Sequence, residues 1–149
     1  MTSNPMPSIQ EEFSAALHHG ARAWRLALDR RLKHLGLGQA GWMTVAIAAK
    51  AKAPLSQSEL AQGVGVEGAT MVAMIDRLVA AGLVERQVEE SDRRVKRVAV
   101  TPGGMALYAE VKAEADAFRR EVLSDEDEKL LAKATALLER VREKAEERT

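Results

Sequence analysis

The chain has 149 residues, 46% of them hydrophobic, and 22 basic side chains set against 22 acidic ones, so its formal net charge is zero. That is the size and apolar content of one packed domain rather than a disordered tail, and aromatics at only 3% favour helices packed on helices over an aromatic-rich sandwich. The absence of cysteine excludes a disulfide framework, a thiolate nucleophile and any zinc site that needs sulfur. A short polar start, Met1 to Pro7, and the lack of any run of about 18 apolar residues read as a cytoplasmic protein with no membrane partner.

Zero net charge argues against a nucleic-acid partner at first sight, because phosphate neutralisation supplies the sequence-independent part of DNA affinity. The distribution matters more. Residues 1–52 hold seven basic and three acidic side chains, residues 53–101 six and seven, and residues 102–149 nine and twelve. Within the middle segment Arg93, Arg94, Lys96 and Arg97 stand against Asp92 alone, a local basic spot in a balanced stretch.

In chain order, Ser8 and Glu11 form a capping box. Phe13, Leu17, Ala21, Trp24, Leu28, Leu32 and Leu35 then recur at steps of three or four, predicting a long helix that ends near Gly36. A second helix, Gln39 to Lys50, stops before Pro54. Ser56 and Glu59 form another capping box that opens a short helix, Gln57 to Gln62. Gly63 and Gly65 then mark a tight turn, and Glu67 to Ala81 is a fourth helix closed by Gly82. Helix, short turn, helix is the unit that presents its second helix to the DNA major groove. Leu83 to Val88 and Val95 to Val100 are β-prone runs around a charged tip and predict a two-stranded wing. Thr101 and Pro102 start a fifth helix, and Ser124 with Asp127 starts a sixth. The fold class expected is mainly α with a small two-stranded β wing. The apolar stripes of the terminal helices exceed what the winged region can cover, so the economical partner is a second copy of the chain.

The fourth helix should bury Met71, Ile75 and Leu78, leaving Ala69, Thr70, Ala73 and Arg77 outward. At the tip, Asp92 can orient the Arg94 guanidinium, whose planar fork suits phosphate or minor-groove acceptors. Each feature has a plainer reading: a helix pair with a glycine turn often binds nothing, four cations on a hairpin are often a solvated surface, and Asp76 and Arg77 are as often ion-pair partners as contacts.

From Ser58-Glu59-Leu60-Ala61 through Gly65-Val66-Glu67, Ile75-Asp76-Arg77-Leu78 and Gly82-Leu83-Val84-Glu85-Arg86, and above all at Ser91-Asp92-Arg93-Arg94-Val95-Lys96-Arg97-Val98, the sequence resembles the MarR family of regulators. Leu37-Gly38-Gln39-Ala40-Gly41-Trp42 is similar to its SlyA branch, so the likeness covers about residues 8–149. It implies one MarR-type domain over 1–149, with a winged helix-turn-helix at 39–101 and dimerisation helices at 8–36 and 102–149. It also implies a homodimer whose fourth helices enter successive major grooves of double-stranded DNA while the wing tips reach the flanking minor grooves. The DNA-binding candidates are then Ser58, Gly68, Ala69, Thr70, Ala73 and Arg77, with Asp92, Arg93, Arg94, Lys96 and Arg97 on the wing. Family members commonly carry arginine where this chain has Ala73. A bidentate arginine is worth roughly 1 to 3 kcal/mol of base discrimination, so its absence shifts the weight toward the wing and DNA shape.

The resemblance further implies a small aromatic effector, a phenol or carboxylate, held between the dimerisation helices and the winged region. His18, Arg22 and Arg25 recur with Asp29 on a face bordering Trp24; Trp42 matches a pocket position of the SlyA branch, and Ala46 replaces a pocket histidine. The alternative makes Trp24 and Trp42 core and the basic face solvated. His18, His19 and His34 lack a carboxylate at metal-ligand spacing, and no serine sits in a nucleophile elbow, so neither an enzyme nor a cofactor is expected. The function expected is a ligand-responsive repressor on a pseudo-palindromic operator. Its rival is a winged-helix protein-interaction module without specific DNA binding.

Overall fold

The computed structural model describes residues 5–149. Among the described residues there are six α-helices, α1 (Ile9–Arg31), α2 (Gly38–Lys50), α3 (Gln57–Val64), α4 (Gly68–Ala80), α5 (Pro102–Leu123) and α6 (Glu128–Glu146), and three short strands, β1 (Leu55–Ser56), β2 (Val84–Val88) and β3 (Lys96–Val100). The chain forms two compact units, one reaching to Ala115 and the other running from Asp116 to Thr149.

Both capping boxes form. The Ser8 hydroxyl accepts the Glu11 N–H at 3.2 Å while the Glu11 carboxylate accepts the Ser8 N–H at 2.9 Å, and Ser56 and Glu59 repeat the exchange at 3.1 and 3.2 Å. Each pair satisfies a donor that the helix start leaves without an internal partner. The first helix is shorter than predicted. It closes at Arg31, a 3-10 turn over Lys33–Leu35 follows, and Gly36 takes a left-handed φ of 72°. Of its apolar series only Leu28 and Leu32 are buried, while Phe13 and Leu17 face solvent.

α3 runs two residues past the predicted end, so Gly63 is helical. Gly65, at φ 82°, makes the turn alone by donating its N–H to the Ala61 carbonyl. Glu67 and Ala81 are the caps of α4 rather than its first and last turns. Gly82 closes that helix as predicted: its N–H reaches the Val79 carbonyl and that of Leu83 reaches Leu78, both at 3.0 Å. The sixth helix departs from expectation in its cap. Asp127, not Ser124, accepts the Leu130 N–H, and the Ser124 N–H returns to the Arg120 carbonyl at the end of α5.

The predicted hairpin forms from β2 and β3, and β1 adds a third strand that the sequence did not announce, in the order β1-β3-β2, all antiparallel. β2 and β3 are in register through Val84↔Val100 and Arg86↔Val98, and Leu55 pairs with Val98 on the other side. A bare hairpin is marginal in water. The third strand joins it to the segment leading into α3, and Val84 and Val98 enter the core with Val45, Leu60, Met71, Ile75 and Leu78.

The start of α5 locks onto this sheet. The Thr101 hydroxyl donates to the Gly82 carbonyl at 2.6 Å and accepts the Gly104 N–H at 3.1 Å. A Cβ at Gly104 would fall 2.1 Å from the Leu83 carbonyl oxygen and 2.6 Å from a Val100 methyl. Alanine is normally the better helix residue, but here the clash reverses the sign. Gly104→Ala should lower stability by roughly 1 to 3 kcal/mol, seen as an earlier urea midpoint; an unchanged midpoint would mean that the helix start can retreat from the sheet.

Candidate nucleic-acid interface

α4 turns Met71, Met74, Ile75 and Leu78 into the core. The helical period therefore leaves Ala69 and Ala73 at the centre of the opposite face, with Thr70 and Arg77 on one flank and Val72 and Asp76 on the other. All six are exposed. No side chain caps the start of α4, where Glu67 occupies the N-cap position, so the first backbone N–H groups point outward from Gly68 and Ala69 unanswered by a cap. Ser58 is exposed in the first turn of α3.

Ala69, Thr70, Ala73 and Arg77, expected outward from the helical period, are exposed. Asp76 and Arg77 do not pair with each other. Arg77 places a guanidinium nitrogen 3.8 Å from the Met74 sulfur, whereas Asp76 accepts a 2.6 Å ion pair from Arg86 of β2. Neither Arg77, Arg93 nor Lys96 has a carboxylate partner among the described residues.

The wing tip is a preset device. Asp92 accepts the Arg94 backbone N–H at 3.0 Å and clasps its guanidinium through both carboxylate oxygens, at 3.1 and 3.3 Å. The Arg94 side chain is nonetheless 92% exposed. A two-point clasp fixes the plane of the guanidinium while leaving its other N–H groups free to donate. Arg97 behaves differently from its neighbours. It lies between Glu59 and Glu89 at 3.5 and 3.3 Å and donates to the Pro54 carbonyl at 3.3 Å. That position makes it a tie between β3, the end of β2 and the segment before α3. The Ser56 N–H and hydroxyl, with Arg97 behind them, hold the Glu59 carboxyl below its usual range.

The six effector-pocket candidates differ in their surroundings. Trp42 is buried, its indole N–H donating to Asp29 at 3.3 Å, and Ala46 is buried beside it in α2. Trp24 is half-buried; His18 and Arg22 are exposed, with the His18 ring edge-on to His19 at 5.3 Å. Only Arg25 borders an open cleft of about 560 Å³, whose other walls include Gln39, Ala40, Met43 and the Val64–Gly65–Val66 turn before α4. The size is that of a small-ligand site. Among the described residues no group of three or more His, Asp or Glu side chains is placed to hold a metal ion, and no helix is long and apolar enough to cross a membrane.

Sequence reasoning missed Arg86, Gln57 and the Glu59–Arg97 tie as parts of this surface. A signal for Arg86 was present: it alternates with Val84, a core residue, and so falls on the inner side of β2, where an arginine needs acceptors.

Comparison with known proteins gives a consistent likeness. Residues 42–95 match the model of the MarR family. The crystal structure of the transcriptional regulator PA3341 superposes with a TM-score of 0.85 at 41% identity, covering 91% of this chain and 98% of that one. CouR from Rhodococcus jostii RHA1, solved with p-coumaroyl-CoA, gives 0.79 at 22% identity, covering 91% and 95%. The S. aureus MepR–DNA complex gives 0.76 at 18%, covering 89% and 97%.

The tip makes a clear titration prediction. Hydrogen bonds from the Arg94 side chain, then from its backbone N–H, hold the Asp92 carboxyl below its ordinary value. The clasp is therefore complete above the pKa of a free aspartate and is lost as pH falls through the lowered value, so it is fully formed at neutral pH. A carboxyl-carbon NMR titration should give Asp92 a midpoint below that of free aspartate, and Arg94→Ala should raise it. An ordinary midpoint in the native protein would mean that the clasp is not made in solution.

Proposed function

The chain belongs to the MarR family of regulators, and from that premise we propose that it is a cytoplasmic, homodimeric transcription repressor. It binds a pseudo-palindromic operator through α4 and the wing and responds to a small effector. The observation that carries this reading is the exposed α4 face flanked by uncompensated cations, Arg77 on the helix and Arg93 and Lys96 on the wing. Arg77, Arg93 and Lys96 put positive charge with no carboxylate partner on the surface that a duplex would meet.

A second copy of the chain accounts for the apolar surface left outside the core. Ile9, Phe13 and Leu17 are exposed along the start of α1, and Leu130, Leu137 and Leu138 along α6. Pairing two copies places two recognition helices about one DNA turn apart, roughly 34 to 36 Å, which is the spacing a pseudo-palindrome requires. The cleft beside Arg25 is the natural effector site. Its single unpaired cation suits a carboxylate or phenolate, and one wall is the turn that leads directly into α4. An occupant that favours one spacing of the recognition helices shifts the operator equilibrium by its differential affinity for the two states. CouR, of the same fold, was solved with a coenzyme A thioester of an aromatic acid.

The α4 face also indicates how bases are read. Ala69, Val72 and Ala73 present methyl groups and Thr70 a methyl and a hydroxyl, so the helix centre is suited to thymine C5-methyl groups rather than to bidentate contact with guanine. Arg93 and Arg94 supply the phosphate and minor-groove contacts.

Fluorescence anisotropy on a duplex selected by the protein from a random pool, titrated from about 50 to 200 mM salt, tests the reading. Tight binding that falls steeply with salt is expected, whereas weak binding unaffected by salt would leave a protein-interaction module. Arg93→Ala with Arg94→Ala should weaken binding to selected and scrambled duplexes alike and reduce the salt slope by about two; an unchanged slope would remove the wing from the interface. Replacing thymine by deoxyuracil in the selected half-site removes only methyl groups. Each methyl covered by α4 should cost about fourfold in affinity, on the basis of roughly 0.8 kcal/mol per buried carbon. No loss at any thymine would assign base reading elsewhere.

A further inference from the structure

Arg86 is a cation that the DNA contacts proposed above do not use, and its guanidinium reaches acceptors on three other residues. It projects from the middle of β2, in register with Val98, and its side chain is only 25% exposed. Its Nε donates to the Gln57 side-chain oxygen in the first turn of α3 at 2.9 Å. One terminal nitrogen reaches the Val72 backbone carbonyl of α4 at 3.3 Å and the Asp76 carboxylate one helical turn further at 2.6 Å. One guanidinium thus joins three elements: the wing strand, the helix that precedes the turn, and the helix with the outward methyl face.

The two acceptors on α4 are four residues apart, so they lie above one another on one flank of the helix. A grip on that flank opposes rotation of α4 about its own axis, the motion that would swing Ala69 and Ala73 away from a bound duplex. The same grip is halfway along β2, and the tip that carries Arg93 and Arg94 lies beyond its end. The strand rises about 3.3 Å per residue, so a small tilt at Arg86 becomes a larger displacement at the tip. Asp76 is 62% exposed, and ion pairs so open to solvent add little to stability. The network is costly in ordered side chains and weak as a fold stabiliser, which leaves orientation as what it provides. Lysine could not replace it, because a single ammonium cannot meet acceptors in the plane that the arginine fork spans.

We propose that Arg86 is a positioning residue for DNA recognition: it sets the angle between α4 and the wing so that both meet one duplex together, without touching DNA itself. This rests on the DNA-binding reading given above. Two signatures separate it from other roles. A phosphate contact contributes to the salt slope, whereas a brace does not, and a purely stabilising residue lowers the amount of active protein without changing how that protein discriminates.

The test uses the full chain on the selected duplex and a scrambled one, with active concentration fixed by stoichiometric titration and folding checked by circular dichroism. For Arg86→Gln the expected result is about a tenfold loss of affinity for the selected duplex, an unchanged affinity for the scrambled one and an unchanged salt slope. Should that variant fail to fold, Asp76→Asn removes only the ion pair and should lose about threefold in the same pattern. The exchanged pair, Asp76→Arg with Arg86→Asp, should recover part of the lost discrimination relative to Arg86→Asp alone. Native-like discrimination in both Arg86→Gln and Asp76→Asn would overturn the brace while leaving DNA binding intact. So would a salt slope reduced by about one, which would make Arg86 a phosphate contact. Failure of the native protein to show any salt-sensitive binding would overturn the DNA reading, and the brace with it.

Discussion

Met71, Ile75 and Leu78 are wholly buried, and the rest of the winged unit depends on that fact. A helix of thirteen residues that commits one full face to the core has a single rotation about its axis left to it, because turning it would bring Ala73 or Arg77 inward and expose methionine and leucine to water. Burial of those side chains is worth roughly 1.5 to 3 kcal/mol each, more than any single surface contact offers. The outward face is therefore chosen by the inward one. Val45 and Leu60 from the preceding helices and Val84 and Val98 from the sheet close on the same cluster, so the wing is positioned by the same hydrophobic contact that orients α4.

Polar interactions then act at three depths. Farthest out, Asp92 holds Arg94 without covering it. Nearer the body, Arg97 ties β3 to Glu59 and Glu89. Innermost, Arg86 reaches through to α3 and α4. Only the outermost arginine keeps donors for another molecule; the others use theirs on this one. Four basic residues that look equivalent in the sequence between Asp92 and Val98 thus divide into free, oriented and engaged groups, Arg93 and Arg94 in the tip turn and Lys96 and Arg97 on β3.

Much of the architecture was legible because it depends on nearest neighbours. The capping boxes, Gly82 and the Thr101–Pro102 start each need only a few consecutive residues, and the periodicity of α4 needs only its own sequence. What could not be seen has a long reach. β1 is two residues beside a proline and exists only because Val98, more than forty positions away, offers it a partner. The end of α1 is hidden in the sequence because Leu35 continues the apolar rhythm after the backbone has tightened into a 3-10 turn. The resemblance gives Trp42 a pocket position and the alternative gives it a core one; its burial and its hydrogen bond to Asp29 depend on how α1 and α2 cross, which neither helix's own sequence states. Ser124 and Asp127 together mark the start of the sixth helix in the sequence, and which of them caps it depends on how far α5 runs, to Leu123.

Ala69 and Ala73 project into open water and support nothing behind them. A substitution there alters the surface proposed to face the groove while the buried cluster, the sheet register and the arginine ties stay as they are. On that reading, folding and specificity are written in separate residues of one helix. A duplicated copy of such a gene can drift to a new target sequence by single steps, each intermediate still a folded protein, and a large set of regulators with different addresses can grow from one scaffold without passing through an unstable ancestor.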